Sequence, residues 1–298
     1  MMKKFNILYI FAAVICLAAS CSEDPLSENS VIKVKKYEEN DFDRWLRVNF
    51  LTPYNIDFIY RYEFIESDMN YYTVPADMNS SIMMAHLVKY LCIESYDEVA
   101  GITFTRTYFP KMFFLIGEFE YRNNGTMILG TAEGGKKILL SGLNYLSLIA
   151  NDIEALNYYY IKTIHHEFVH ILNQTVEFSA DYKLITGSGY VADSWSEYPY
   201  NVGYLERGFI SSYSQHSATE DFAEIMSTYI TNSKDWWEEQ MEAAGEEGRT
   251  LIYKKLDLVR EYLKDGFNID IDELRSTLMR RQKDIELGKI DLTSVEIK

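Results

Sequence analysis

The residues able to do chemistry sit in two short stretches of this 298-residue chain. The first is His166-Glu167-Phe168-Val169-His170, which fits H-E-x-x-H. Side chains four apart share a helix face, so both imidazoles can reach one ion. Zinc takes nitrogen ligands at about 2.1 Å and, in catalytic sites, keeps a fourth position for water. Glu167 stands beside the pair, where it can take the proton of that water. A five-residue pattern can arise by coincidence, so its surroundings matter. Ile164, Phe168, Val169, Ile171 and Leu172 make an apolar flank, which places the helix in the interior. Burying two histidines and a carboxylate there without a partner is costly. His165 lies about 100° round the helix from His166 and is expected to stand outside the site.

A third ligand is needed. The extended form H-E-x-x-H-x-x-G-x-x-H requires a histidine at 176, where the chain has Val176. The second stretch, Ser217-Ala218-Thr219-Glu220-Asp221-Phe222-Ala223-Glu224, offers carboxylates instead. Glu220 and Glu224 are four apart, and Ala223 between them permits close helix approach. We expect Glu220 as the ligand and Glu224 as the carboxylate that holds a zinc histidine from behind. Asp221 and His216 are the alternatives for the third position. A structural role competes too: Ser217-x-x-Glu220 has the form of a capping box, in which Glu220 only closes the helix N-terminus.

Elements able to position these groups can be read on either side. Asp152 can cap a helix whose stripe runs Ile153, Leu156, Tyr160, Ile164, Phe168, Ile171 and Leu172. Before it, 41–50 and 80–95 have helical spacing, whereas 56–64, 101–107, 112–121, 126–131 and 137–141 read as strands. Asn123-Asn124-Gly125 has the chemistry of a hairpin turn. Residues 174–215 are rich in Tyr, Ser and Gly without a period, and loops that long are usually functional. Helices are predicted at 218–231, 235–245, 249–264 and 271–284. Strands with few helices followed by helices alone make the fold α+β. Two other motifs are decoys. Gly130 to Lys136 has P-loop spacing, but Lys137 stands where Ser or Thr must bind Mg²⁺. Asp270 and Asp272 lack the glycine and distal glutamate of a calcium loop, so helix capping is their expected job.

Charge and cysteine use narrow the setting. There are 29 Lys+Arg against 45 Asp+Glu, a net charge of −16, which repels phosphate backbones and argues against a nucleic-acid partner. Met1 to Lys4 is a basic start, and 5–19 is apolar apart from Asn6 but too short to span a bilayer. Residues 1–20 thus read as a signal peptide, and Leu17-Ala18-Ala19-Ser20-Cys21 resembles a bacterial lipobox, with Cys21 the lipidated residue. A plain signal peptide cut near Ser20 is the alternative. Loss of Lys3 and Lys4 would take the net charge from −16 to −18. Residues 21–36 read as a lipid-anchored tether and 37–298 as the catalytic domain, with a sheet part at 37–173 and a helical part at 174–298. With Cys16 in the leader and Cys21 used for lipid, Cys92 has no partner for an intrachain disulfide.

The spacing of His166–His170, Gly208-Phe209-Ile210-Ser211-Ser212-Tyr213 and Glu220-Asp221-Phe222-Ala223-Glu224 resembles the gluzincin branch of zinc metallopeptidases. A Tyr seven residues before Glu-x-x-Ala-Glu is similar to the catalytic domain of anthrax lethal factor. The whole mature chain is similar to the zinc-binding metallopeptidase lipoproteins of Bacteroidetes, and Lys254–Tyr262 and Ile269–Arg275 resemble that family's tail. The resemblance implies a zincin fold: a twisted mixed sheet with an antiparallel edge strand, then the active-site helix. On that template 126–131 is the edge, to which a peptide substrate can add as a further strand. It also implies Zn²⁺ as cofactor and Tyr213 as a stabiliser of the tetrahedral oxyanion through its phenol. A peptide or protein is the implied substrate. The implied location is the outer membrane, surface-exposed, beside a nutrient-import complex; Ser22-Glu23-Asp24 resembles that group's surface-export signal. The competing reading is a binding lipoprotein on the same scaffold that captures peptide or glycan, with Trp195, Trp236 and Trp237 available for contact. An intact Glu167 argues against it, because a pure binder needs no base. The anchor is testable directly: Cys21→Ala should move the protein from the membrane to the soluble fraction and remove the acyl mass, since the lipid chains supply the apolar burial. Unchanged partition and mass would exclude lipidation.

Overall fold

The computed structural model describes residues 38–297 apart from 67–69, 72, 122–124, 126 and 134–135. The leader, Cys21 and the tether lie outside the described residues, as do Asn123 and Asn124 of the expected turn. Three helical stretches precede most of the sheet: α1 (41–54), α2 (78–100) and α3 (Ile102–Tyr108). The strands are β1 (Asp57–Ile59), β2 (Met112–Leu115), β3 (Glu120–Tyr121), β4 (Met127–Ile128), β5 (Gly130–Glu133) and β6 (Lys137–Leu140). Then come α4 (153–175), α5 (Ala218–Thr231), α6 (Lys234–Ala243), α7 (Gly245–Phe267) and α8 (Ile271–Glu286). The fold is α+β, with a small mixed sheet and a helical C-terminal half. Among the described residues no helix is long and apolar enough to cross a membrane.

One sheet has the order β1-β2-β6-β5. β1, β2 and β6 run parallel, with Phe113 opposite both Phe58 and Ile138. Their inner strands are apolar without alternation because both faces are covered. Phe113, Leu115, Ile138 and Leu140 join the main core, while Phe114, Ile116 and Leu139 form a small cluster on the other face. β5 runs antiparallel at the edge, Thr131 opposite Leu139. β3 and β4 form a separate antiparallel ribbon, Glu120 opposite Ile128 and Tyr121 opposite Met127. The predicted strand at 126–131 therefore divides between ribbon and edge. The strand expected over 56–64 shortens to Asp57–Ile59.

Residues 101–107, read as an alternating strand, are helical, and α3 occupies Ile102–Tyr108. Gly101, at φ 83, breaks the chain out of α2 and starts α3. Phe104 and Tyr108 are four apart, and both rings meet Phe267 in T-shaped contacts, at 5.8 and 5.2 Å between centroids. Phe104 also packs on Tyr96 and Phe168. Those aromatic contacts outweigh the strand preference of Ile and Thr.

α4 carries the H-E-x-x-H residues. Asp152 caps it, its side chain accepting from the Ala155 N–H. Ile164, Phe168, Val169 and Leu172 are fully buried, each contributing roughly 1.5–3 kcal/mol by leaving water. The helix packs along α5, and one core runs from Phe42 to Leu292 through both halves of the chain.

The long stretch between α4 and α5 has little regular structure beyond 3₁₀ turns and the one-turn helix Tyr182–Ile185, yet polar bonds order it. Arg207 donates to Gln215 Oε1 and to the Tyr200 and Val202 carbonyls, and Gln215 donates to Tyr200. Lys255 on α7 is fully buried beneath the stretch. Its ammonium donates to the Gly208 carbonyl at 2.7 Å and pairs with Asp221 at 2.6 Å, with both side chains completely shielded. Tyr190 donates its hydroxyl to Asp221 as well. Burial pushes Asp221 up and Lys255 down, and each partner's charge opposes that drift. Removing one member of such a pair strands the other. Lys255→Met should therefore destabilise the protein by roughly 3–5 kcal/mol, and Lys255→Met with Asp221→Leu should recover part of the loss. Urea unfolding midpoints read this out; a single variant within about 1 kcal/mol of wild type would contradict it.

Candidate active site

His166 and His170 project from one face of α4, and Glu220 from the first turn of α5 meets them. His166 Nε2 lies 3.1 Å from His170 Nε2. Glu220 Oε2 is 2.9 Å from the first and 3.3 Å from the second. Among the described residues, these three offer ligand atoms all within 4.8 Å of one another. Ligands on arms of about 2.1 Å in a tetrahedron are about 3.4 Å apart, so the triangle has the size that zinc requires. The capping role and the site role of this turn fall to different atoms. Ser217 Oγ accepts from the Glu220 N–H at 3.3 Å. The Glu220 side chain does not complete a capping box; it turns to the histidines.

Glu224, one turn further along α5, stands behind His166. It is 3% exposed, and His166 Nδ1 is 2.9 Å from its Oε1. An ionised carboxylate only accepts, so Nδ1 carries the proton and Nε2 presents its lone pair to an ion. Lys162 Nζ and Ser211 Oγ donate to the other oxygen, at 2.8 and 2.6 Å. Burial disfavours the charge on Glu224, but Lys162 and His166 outweigh it and hold the carboxyl well below its usual range. Glu220 is lowered in the same way, against burial, by His166 and His170. Burial also works against a charge on His166, yet Glu220 and Glu224 push its proton affinity up to about 10. A metal ion must displace that proton to bind.

Lys162 and Ser211 were not foreseen from the sequence. Lys162 lies four residues before His166, on the same helix face, which was a usable signal. Ser211 is two residues before Tyr213, in a stretch whose path only the folded chain defines.

Glu167, His166, Tyr213 and Glu224 line one cavity of about 320 Å³. The Tyr213 ring lies 5.9 Å from that of His166, with Trp195 at 5.0 Å on one side and His216 at 5.7 Å on another. The structure thus brings together all six residues the sequence singled out in the fold: His166, Glu167, His170, Tyr213, Glu220 and Glu224. It leaves the alternatives aside. Asp221 points away from the histidines into its pair with Lys255. His216 faces Asp193 at 3.4 Å and packs on Tyr213. His165 is buried in the core with Nδ1 3.0 Å from the Tyr96 hydroxyl, and burial holds its proton affinity down to about 3. Asp270 caps α8, accepting from the Asp272 and Glu273 N–H groups. Of the tryptophans expected to be open to ligand, Trp237 is 1% exposed and Trp236 packs against the core. Trp195 lines the cavity.

Known proteins resemble the chain over most of its length. The family model described as "Putative zinc-binding metallo-peptidase" matches residues 35–272. A crystal structure described as "a putative zinc-binding metallo-peptidase from Bacteroides caccae ATCC 43185" is 38% identical in sequence, with a TM-score of 0.75. The match covers 90% of this chain and 100% of that one. No curated protein matches the chain. The cofactor is therefore zinc, and a fold, a donor triangle and a family model that agree over most of the chain lead to one statement: the chain belongs to the family of zinc-binding metallopeptidases.

Proposed function

We propose that the chain is a zinc-dependent peptidase of the gluzincin type, with His166, His170 and Glu220 as the metal ligands. The observation that carries this reading is the donor triangle of those three residues beside Glu167 and Tyr213 in one cavity. Zinc, when bound, supplies Lewis-acid polarisation and acidifies water. The chain's own groups do the rest. Glu167 takes a proton from the attacking water and passes it to the leaving amine. Tyr213 donates its phenol hydrogen to the oxyanion that develops on the carbonyl. Glu224 fixes the tautomer and orientation of His166, and Lys162 and Ser211 keep Glu224 charged and in place. β5 is the edge strand of its sheet, the position at which an extended peptide would add as a further strand.

In the same proposal the enzyme is a lipoprotein anchored through Cys21 at the outer-membrane surface, where it serves a nutrient-import complex. The lipobox-like Leu17–Cys21 and the acidic Ser22-Glu23-Asp24 support that placement.

Four variants separate the roles. Glu167→Gln should abolish peptide cleavage, a loss of roughly 10²–10⁴-fold in rate, with zinc content unchanged. Glu220→Gln should weaken zinc binding first. Glu224→Gln should lose roughly 10–100-fold in affinity or activity. Tyr213→Phe should lower turnover with zinc and fold intact. A lost helix cap cannot imitate this pattern, because it costs about 1 kcal/mol of stability and spares the metal. Mass-spectrometric analysis of a peptide library and metal analysis measure both arms. Zinc-loaded wild type that cleaves nothing, or Glu167→Gln that cleaves as well as wild type, would favour a binding protein instead.

A further inference from the structure

Among the described residues, four tyrosines share one arrangement. Each donates its hydroxyl to a carboxylate, and a cation lies over its ring. Tyr60 pairs with Asp43 under Arg61, whose guanidinium is 4.6 Å from the ring centroid. Tyr90 pairs with Asp284 under Arg281, at 4.7 Å. Tyr229 pairs with Asp272 under Arg260, at 5.4 Å. Tyr190 pairs with Asp221 under Lys255, at 5.9 Å. The ring face is electron-rich and the carboxylate at its rim is charged, so a cation above the ring answers both.

Tyr145 has two of these parts and lacks the third. Its hydroxyl donates to Glu118 Oε2 at 3.0 Å, and among the described residues no Lys or Arg pairs with Glu118 or lies over the ring. Tyr54, bonded to Asp97, also carries no cation, but it is buried. Tyr253 reaches Glu238 only at 3.5 Å. Tyr145 is 44% exposed, and one of its faces is fixed. Phe119 stacks on it at 5.4 Å with an interplanar angle of 11°. Phe119 is seated in turn on Gly142, at φ 73, where a Cβ would fall 2.1 Å from its ring. A line of rings then joins this spot to the cavity of Glu167. Phe119 meets Tyr159 at 5.6 Å, Tyr159 meets Tyr158 at 4.8 Å, and Tyr158 lines the cavity. From Tyr145 to Tyr158 is thus at most about 16 Å, which an extended peptide crosses in about five residues.

We infer that Tyr145 and Glu118 form a receptor for an arginine side chain of the substrate, outside the cavity and up to about five residues from the scissile bond. The guanidinium plane stacks on the open face of Tyr145 while its fork donates to Glu118. Arginine fits better than lysine because its plane can do both at once, and three of the four internal examples use it. The net charge of −16 favours the approach of a basic chain. The position relative to a scissile bond rests on the peptidase reading; the receptor itself is tested by binding alone. An exposed ring contact and an exposed ion pair together are worth roughly 3–30-fold in affinity.

Zinc-loaded Glu167→Gln protein is titrated with terminally blocked decapeptides of one neutral sequence, in which a single arginine is moved along the chain. Each is compared with its citrulline twin, which keeps the shape and loses the charge. At one or two adjacent positions arginine should bind roughly 3–30-fold tighter than citrulline, and added salt should shrink the difference. Tyr145→Ala and Glu118→Gln should each remove most of that preference. Both should leave the affinity for the citrulline peptides and the urea unfolding midpoint at the parent values. No preference at any position, or one that survives both variants, would overturn the inference. So would a preference equal at every position, which reports only the net charge. Wild type then separates the receptor from the peptidase. Position-specific arginine binding with no cleavage of any peptide keeps the receptor and removes the peptidase. Cleavage of arginine and citrulline peptides at equal kcat/KM removes the receptor and leaves the peptidase.

Discussion

Glu224 is a carboxylate buried between two packed helices, and an isolated charge there is costly. Its two oxygens are answered by three donors from two parts of the chain: His166 and, one turn earlier, Lys162 on α4, and Ser211 from the long irregular stretch. Each bond has a second consequence. The bond from His166 sets the tautomer that leaves Nε2 facing Glu220 and His170. The bond from Lys162 uses the same helix face and so fixes the rotation of α4 against α5. The bond from Ser211 draws in the segment that ends at Tyr213. Satisfying one buried charge thereby positions a candidate metal-ligand histidine, a helix crossing and a candidate oxyanion donor at once.

The same logic operates on the opposite side of α5. Asp221 follows Glu220 directly, so on a helix it must face elsewhere, and it faces the core. There Lys255 neutralises it and, with the same ammonium, holds the Gly208 carbonyl. Gly208 has φ 85, and a Cβ on it would fall 2.6 Å from Leu251, so the backbone runs tight against α7 at that point. The stretch that carries Ser211 and Tyr213 is thus tethered to α5 twice, by Glu224 below the site and by Asp221 through Lys255. Loops without secondary structure are usually mobile. This one is held by buried charge, which fixes its side chains beside the candidate site.

How much of this was legible in the sequence depended on how local the signal was. α5 was bounded correctly at 218–231, and α4 was capped where Asp152 predicted, because both follow from an N-cap and a 3.6-residue stripe. Glu220 and Glu224 were identifiable by their four-residue spacing. The capping alternative at Ser217 was partly right, since Ser217 does cap, and the choice lay in where one flexible side chain turned. Residues 101–107 misled because Ile102 and Phe104 alternate with threonines, while two of the aromatic partners that make the segment helical, Phe168 and Phe267, are remote in sequence. Lys162, Ser211 and Lys255 share that difficulty. Each is an ordinary surface-type residue until a distant carboxylate requires it.

The edge of the sheet shows how tightly β5 is held against the helix that carries the candidate metal site. β5 lies against α4 at Gly130 and Thr163, three residues before His166. A Cβ on Gly130 would come within 2.8 Å of both Thr163 Cγ2 and the Leu139 carbonyl. The contact is therefore set by backbone on one side and by a methyl group on the other, with no long side chain to act as a soft spacer. Interiors packed this closely transmit displacement rather than absorb it. The strand that borders the cavity and the helix that presents the histidines are therefore packed together without a soft spacer.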